Sequence, residues 1–447
     1  MAPYLPHLLH RRRVAQRAST RSICALFFIG VLTAASPIYA QDVAWSGFGT
    51  LGYAQSDRDY AYQRFINSAG TFERDSVLAI QADTRLGPRW SATLQLKLAP
   101  SLKAEARWAV TPAWAFLAWR PNDDWLLRAG RLRVPLYLYS EAMDVGQAHD
   151  MARLPTEMYS IAPSDNFDGL SANRSWALGD GDLSVDAYAG QGDVTARVWF
   201  RDGLAPMEAA GAKFFDVNVK LAGLALTLKQ PGRQLRASLH HTSTSQSNGN
   251  TIPVDIPYVS LAPGVGYYRV SNDLPGGVDM TSRLSISNVI FTLGAEQTLG
   301  QGWRLAAEYA VNRQLQTDFG SDTRGGYLAL FKQIDKITPY VSVSALKSRR
   351  PALDWYQRLT SNPLPELMPG AAQINAAQRM VAESMWVADQ RTLALGASYA
   401  VSPGGKIKAE WQRTRIGQVT RLVDALPGST PHDTHVDVLS VNYNFAF

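Results

Sequence analysis

From about residue 43 to the end of the chain, apolar and polar positions alternate with period two. That spacing sets one face of a β-strand in an apolar medium and the other in a polar one. Trp90, Ala92, Leu94, Leu96 and Leu98 alternate with Ser91, Thr93, Gln95 and Lys97. Trp303, Leu305, Ala307, Tyr309 and Val311 alternate with Arg304, Ala306, Glu308 and Ala310, and Ile407, Ala409 and Trp411 with Lys408, Glu410 and Gln412. The pattern predicts sixteen strands, over 43–54, 76–86, 90–99, 112–120, 125–134, 166–178, 183–190, 213–228, 234–241, 285–299, 303–313, 325–333, 338–346, 390–401, 406–415 and 435–447. A soluble sandwich alternates too, so alternation alone leaves the medium open.

The connections narrow it. Seven short turns are visible, at 87–89, 121–124, 179–182, 230–233, 300–302, 334–337 and 402–405, each rich in Gly, Pro, Asp or Asn or bounded by strand patterns. Between consecutive turns lies a longer connection, longest at 243–283 and 347–388. Tight turns on one rim, long loops on the other and an even strand count predict an all-β fold, a closed transmembrane antiparallel β-barrel. Closure follows from backbone chemistry, because an open edge in hydrocarbon leaves N–H and C=O groups unpaired at roughly several kcal/mol each. No stretch beyond residue 40 is a membrane-helix run of about 18 apolar residues.

Charge and cysteine place the chain in an exported setting. The 447 residues carry a formal charge of +6, but Arg11, Arg12, Arg13, Arg17 and Arg21 all precede residue 40, where no acid occurs. Setting those five of the 44 basic residues aside leaves 39 against 38 acidic ones, which removes any case for a nucleic-acid partner. The arginines, the apolar run 23–32 and the small residue at Ala40 read as a cleaved signal peptide over 1–40, with the barrel over 41–447. The single cysteine, Cys24, leaves with it, which excludes disulfides and thiolate metal sites.

The last strand is the most specific signal. Leu439, Val441, Tyr443, Phe445 and Phe447 form one face, Ser440, Asn442, Asn444 and Ala446 the other, and the chain stops on Phe. This resembles the closing strand of Gram-negative outer-membrane proteins, and Tyr443, Phe445 and Phe447 match its assembly signal. Strand order and size resemble the sixteen-stranded porins, both general-diffusion and substrate-selective. The resemblance implies an outer-membrane channel for small hydrophilic solutes or ions, with membrane lipid and the barrel-assembly machinery as partners, homotrimers as the assembly, and no cofactor. It also implies that the third long loop folds inward to narrow the pore. Gly130, Arg131 and Pro135, leading into an aromatic-rich loop, are similar to the matching passage of selective porins. A lysine-rich phosphate-selective lining is not present.

That loop, 135–165, carries Glu141, Asp144, Asp150, Glu157 and Asp165 against one base, Arg153, while Arg85, Lys97, Arg131 and Arg133 lie on neighbouring strands. An Arg or Lys facing lipid at mid-membrane costs roughly 2–4 kcal/mol, so Arg85 and Lys97 belong to the lumen. The expected constriction is Arg85, Lys97, Arg131, Arg133, Glu141, Asp144, Asp150 and Arg153, an acidic loop facing a basic wall and setting a transverse field. Solvated lumen and loop charges give the same composition. Arg128 has the opposite parity from Arg131 and Arg133, so one of the three sits at an interface or a bulge shifts the phase.

Other motifs carry less. Gly47-Phe48-Gly49-Thr50-Leu51-Gly52 matches a dinucleotide fingerprint, but no helical period follows it, so the glycines belong to a barrel strand. His240 and His241 point to opposite faces of a strand and cannot chelate together; an interfacial pair near a strand end is the expectation. Asn173-Arg174-Ser175 has no meaning as a glycosylation site on a bacterial lumen strand. Ile374, Ala377, Val381 and Met385 recur at helical spacing within a long loop. No nucleophile elbow or paired-acid motif marks a barrel enzyme, and a structural or adhesive barrel would differ by conducting nothing.

Overall fold

The computed structural model describes residues 43–447 apart from 106, 163–164, 205–207, 318–319 and 321. The expected signal peptide and its cleavage site lie outside the described residues.

Sixteen antiparallel strands close into one barrel. They are β1 (Ala44–Ser56), β2 (Val77–Arg85), β3 (Trp90–Pro100), β4 (Trp108–Trp119), β5 (Trp125–Arg133), β6 (Asn166–Leu178), β7 (Gly181–Phe200) and β8 (Gly211–Gln230). The second half comprises β9 (Arg233–Gln246), β10 (Ile286–Gly300), β11 (Trp303–Leu315), β12 (Thr323–Lys332), β13 (Ile337–Ser348), β14 (Ala388–Ser402), β15 (Gly405–Thr420) and β16 (Thr434–Ala446). Each strand pairs with its chain neighbours, and β16 closes on β1 with Gly49 opposite Phe445 and Tyr53 opposite Val441. Fifteen of the predicted strands agree within five residues at each end. The exception is β7, which runs ten residues beyond its predicted end at 190, where Gly190 and Gly192 interrupt the apolar alternation.

The outer face is apolar as the alternation requires. Leu78, Ile80, Leu94, Leu170, Leu224 and Leu293 are exposed there, while their sequence neighbours turn inward. Aromatic residues girdle the turn rim: Trp45, Trp90, Trp119, Trp176 and Trp303 stand beside short turns or at the start of β1, with Trp90 and Trp119 stacked at 5.7 Å. Such a belt suits the interface of a bilayer, where an amphipathic ring meets both phases. No helix is long and apolar enough to cross a membrane among the described residues, and the strands do the crossing.

The seam explains the Gly-x-Gly of β1. Phe447 exchanges backbone hydrogen bonds of 3.0 Å with Gly47. A Cβ on Gly47 would stand 2.4 Å from the Phe447 ring, and one on Gly49 would stand 2.5 Å from the Phe445 ring. The two rings therefore lie over bare backbone across the closure, covering glycines that would otherwise weaken the strand.

Among the described residues three α-helices decorate the loops: α1 (Thr156–Tyr159), α2 (Arg350–Ser361) and α3 (Ala371–Ser384). The last is the helix expected from Ile374 and its repeats. Helix α2 was not read from sequence, although Pro351 near its start and the Ala352, Tyr356, Leu359 spacing carry the signal.

Candidate functional site: the loop across the lumen

The loop between β5 and β6 leaves the wall where the strand bends. Gly130 has φ +132°, and a Cβ there would meet the Ala115 carbonyl at 2.3 Å, so only glycine fits this close approach to β4. Leu132 joins the inner apolar cluster. At Arg133 the strand ends, and Val134 N–H donates to Asp165 O (2.9 Å) to close the base of the loop.

From there the chain crosses the barrel interior and is tied to most of the wall. Ser238 of β9 and Thr292 of β10 donate to Leu136 O (3.2 and 2.7 Å), and Leu138 N–H donates to Glu308 of β11 (2.7 Å). Gly146 lies so close to β1 and β16 that a Cβ would overlap Asn444 and Thr50. Lys408 of β15 donates to Gly146 O (2.6 Å) and Met151 O (2.9 Å), and Asn442 of β16 to Ala152 O (2.9 Å). Helix α1 rests on Gly325 of β12, where a Cβ would stand 2.2 Å from Glu157 O. Glu157 is buried and accepts from Ser344 (2.9 Å), Gln390 (2.6 Å) and Thr392.

Apolar side chains fill the contact. Leu136, Tyr137, Met151, Leu154, Met158 and Ile161 pack against inward residues of the wall, among them Phe167, Tyr188, Ile290 and Phe331. Inward polar groups such as Lys408, Asn442 and Asn444 are consequently almost inaccessible, at 0, 2 and 1 % exposure. At roughly 25 cal/mol per Å² of apolar area, this burial together with the hydrogen bonds makes the loop a docked element.

Charges reinforce the docking. Asp144 meets Lys97 at 2.9 Å and Arg133 at 2.5 Å. Burial pushes its carboxyl up, but the two cations outweigh this and hold it well below the usual carboxylate range. Asp150 bridges Arg304 (2.5 Å) and Lys406 (2.9 Å) and accepts from Ser398 (2.8 Å). Burial raises its pKa, and the Lys406 bond and charge more than reverse the shift. Arg153 forms a buried two-point pair with Asp75 (2.7 and 2.5 Å), and its remaining donors reach Gln412 and Ser440. Here too burial pushes Asp75 up and Arg153 brings it below the ordinary value. His149 is buried with Nδ1 2.9 Å from Met151 O and 3.3 Å from Lys408 Nζ. Burial, then Lys408, drives its pKa well below 6.5, so the ring is neutral at pH 7.

Of the eight residues expected at a constriction, Lys97, Arg133 and Asp144 meet at one wall, Asp150 at the opposite side and Arg153 between the loop and Asp75. Glu141 is exposed and forms no ion pair among the described residues. Arg85 faces inward but at the turn rim, six positions beyond the Ala79–Lys97 pair, about 20 Å at the rise of a strand. Arg131 is not brought to the loop. It points outward beside Leu132, pairing with Asp168 at 3.0 Å, while Arg128 turns inward over Phe116. The parity conflict in β5 resolves this way: Arg131 is the outward member, and Arg133 turns in because the strand ends there. Missed by sequence were Asp75, Arg304, Lys406 and Glu157 as anchors. The alternation marks Arg304 as lumenal, but nothing in one sequence says which loop acid it meets. His240 is also inside and mid-strand, held by Tyr188 and Ser238 at 2.6 Å each, and not in the interfacial position expected of it.

No protein-family model and no curated protein matches the sequence. Solved structures do match in fold. The outer membrane protein OmpT of Vibrio cholerae, folded in vitro, superposes with a TM-score of 0.50 at 11% identity, over 92% of this chain and 100% of that one. An anion-selective porin of Comamonas acidovorans gives 0.50 at 10% identity, over 91% and 100%. The likeness is one of architecture: the chain has the sixteen-stranded fold of outer-membrane porins, here with its third long loop docked inside.

Proposed function

We propose that the protein is an outer-membrane channel for passive passage of small hydrophilic solutes, with loop 134–165 setting its cross-section. The observation that carries this is a closed sixteen-stranded barrel, apolar outside and polar inside, crossed by a loop tied to the wall at Asp144, Asp150 and Glu157. An interior of this strand number is too wide for wall side chains alone to fill, and an inward loop leaves a solvated passage of defined bore. Because Asp144 and Asp150 meet wall cations directly, selection rests on bore and hydrogen bonding, with Lys97 and Asp144 still partly exposed beside the path. Homotrimer assembly and reading of the Tyr443, Phe445, Phe447 face by the assembly machinery belong to the same proposal. Planar-bilayer recording on the full chain tests it: stepwise conductance is expected, and a folded protein that inserts and conducts nothing would leave a structural barrel instead.

A further inference from the structure

Above loop 134–165, the loops at the external mouth enclose a cavity of about 600 Å³. Its walls present five guanidinium groups, those of Arg64, Arg74, Arg197, Arg201 and Arg421, but only two carboxylates, Glu383 and Asp424. Three of the five are satisfied by acids. Arg197 grips Asp424 with two bonds (2.9 and 2.6 Å) and Glu105 with a third (2.5 Å). Arg201 holds Asp202 at 2.9 Å, and Arg64 reaches Glu105 at 3.4 Å.

The other two have no carboxylate partner among the described residues. Arg74 donates to neutral oxygens, Gln63 Oε1 at 3.0 Å and Thr156 Oγ1 at 3.4 Å, while both oxygens of adjacent Asp75 are taken by Arg153. Arg421 stacks on Trp386, and its Nη1 is buried without a hydrogen-bond partner. A buried cationic donor left unpaired is costly, and the cost is relieved when an anion supplies the acceptor. The shifts agree. Burial, then Arg153, holds Arg74 at about 10, and burial, then Arg197, holds Arg421 at about 9.

The rest of the wall is aromatic. Trp199 is fixed through Nε1–H to Ala425 O (2.9 Å), and Tyr356 and Trp386 line the same space. Volumes of roughly 300–1,000 Å³ with a few convergent polar groups suit small organic ligands. Resting on the channel reading above, we infer that this chamber binds an aromatic carboxylate, its charge offset by the two lining guanidinium groups that lack an acid, Arg74 and Arg421, and its ring set beside Trp199 and Tyr356.

Calorimetric titration of the full chain in detergent micelles with benzoate, acetate and benzyl alcohol tests the assignment. Benzoate is expected to bind roughly tenfold or more tighter than either acetate, which lacks the ring, or benzyl alcohol, which lacks the charge. Arg74→Gln and Arg421→Gln are each expected to weaken benzoate roughly tenfold, with folding verified by heat-modifiable gel mobility. Absence of benzoate binding, equal affinity for all three compounds, or folded variants that bind as the parent does would each overturn it. If the variants do not fold, the ligand panel on the unmodified protein still decides. The titration measures no flux. A protein that conducts without binding benzoate overturns the chamber assignment alone, and one that binds without conducting overturns the channel.

Discussion

Asp150 satisfies Arg304, Lys406 and Ser398 at once, each on a different strand of the wall. Replacing it with Asn keeps the shape but leaves Lys406 without its acid, while Arg304 keeps Glu296 at 2.9 Å. Losing one member of such a part-buried network costs about 1–3 kcal/mol of local stability. Asp150→Asn is thus expected to speed hydrogen exchange of the amides at 144–153 with the barrel amides unchanged; equal protection would show that the apolar contacts alone hold the loop. His149 adds a pH dependence. Its folded pKa lies well below 6.5, so the unfolded or undocked loop binds the proton more readily. Docking is therefore complete above pH 6.5 and weakens as pH falls, by at most about 1.4 kcal/mol per unit. Asp144 and Asp150, also depressed, contribute in full above 3.8 and add to the loss only below it. Between pH 6.5 and 4.5 the loop's protection factors, taken relative to the intrinsic exchange rate at each pH, should fall in the parent and not in His149→Asn.

At the scale of elements, the seam makes the sharpest demand. Side chains at 47 and 49 must be absent for the Phe447 and Phe445 rings to lie across β1. Gly49→Val inserts bulk where the ring sits, at a cost of about 1–3 kcal/mol, and should lower the fraction of chain that migrates as the compact form in unheated gels. Leu51→Val, on the same exposed face, should not. The strands, the aromatic face of β16 and α3 were legible because each is local: alternation, a terminal aromatic face and a 3.6-residue repeat all show within a short window. The far half of β7 was not, since Gly190 and Gly192 look like a strand end and what sustains them is pairing with β8 as far as Phe200 opposite Gly211. The anchors of loop 134–165 were half legible. Its acids and the inward Lys97 could be seen, but the partnership of Asp150 with Lys406 joins a loop rooted at β5 and β6 to a strand on the far side of the closed barrel. Such a pair depends on loop path and closure together, which no spacing encodes.

For the whole molecule, two structures stand in series along the axis: the loop inside the barrel and the cap at its mouth. The cap is built from α2, α3, residues 247–285 and 421–433, and Arg201 and Asp202 just beyond β7. Leu353, Leu359, Ala382 and Met385 pack with Ile256, Gln378 accepts from Tyr268 N–H (2.8 Å), and Arg379 meets Asp202 at 3.2 Å. None of this carries the barrel, since β13 and β14 pair directly from Ile337–Tyr399 to Lys347–Asp389. Replacing 351–383 by a short Gly/Ser linker should therefore leave folding and heat-modifiable mobility intact, and a shorter connection adds no closure penalty. Resistances in series are dominated by the narrowest section. If loop 134–165 is that section, deleting the helices changes single-channel conductance less than Asp150→Asn does, while external protease gains access to 421–433. The opposite ranking, a large rise on deletion and none for Asp150→Asn, would move the constriction from the docked loop to the mouth.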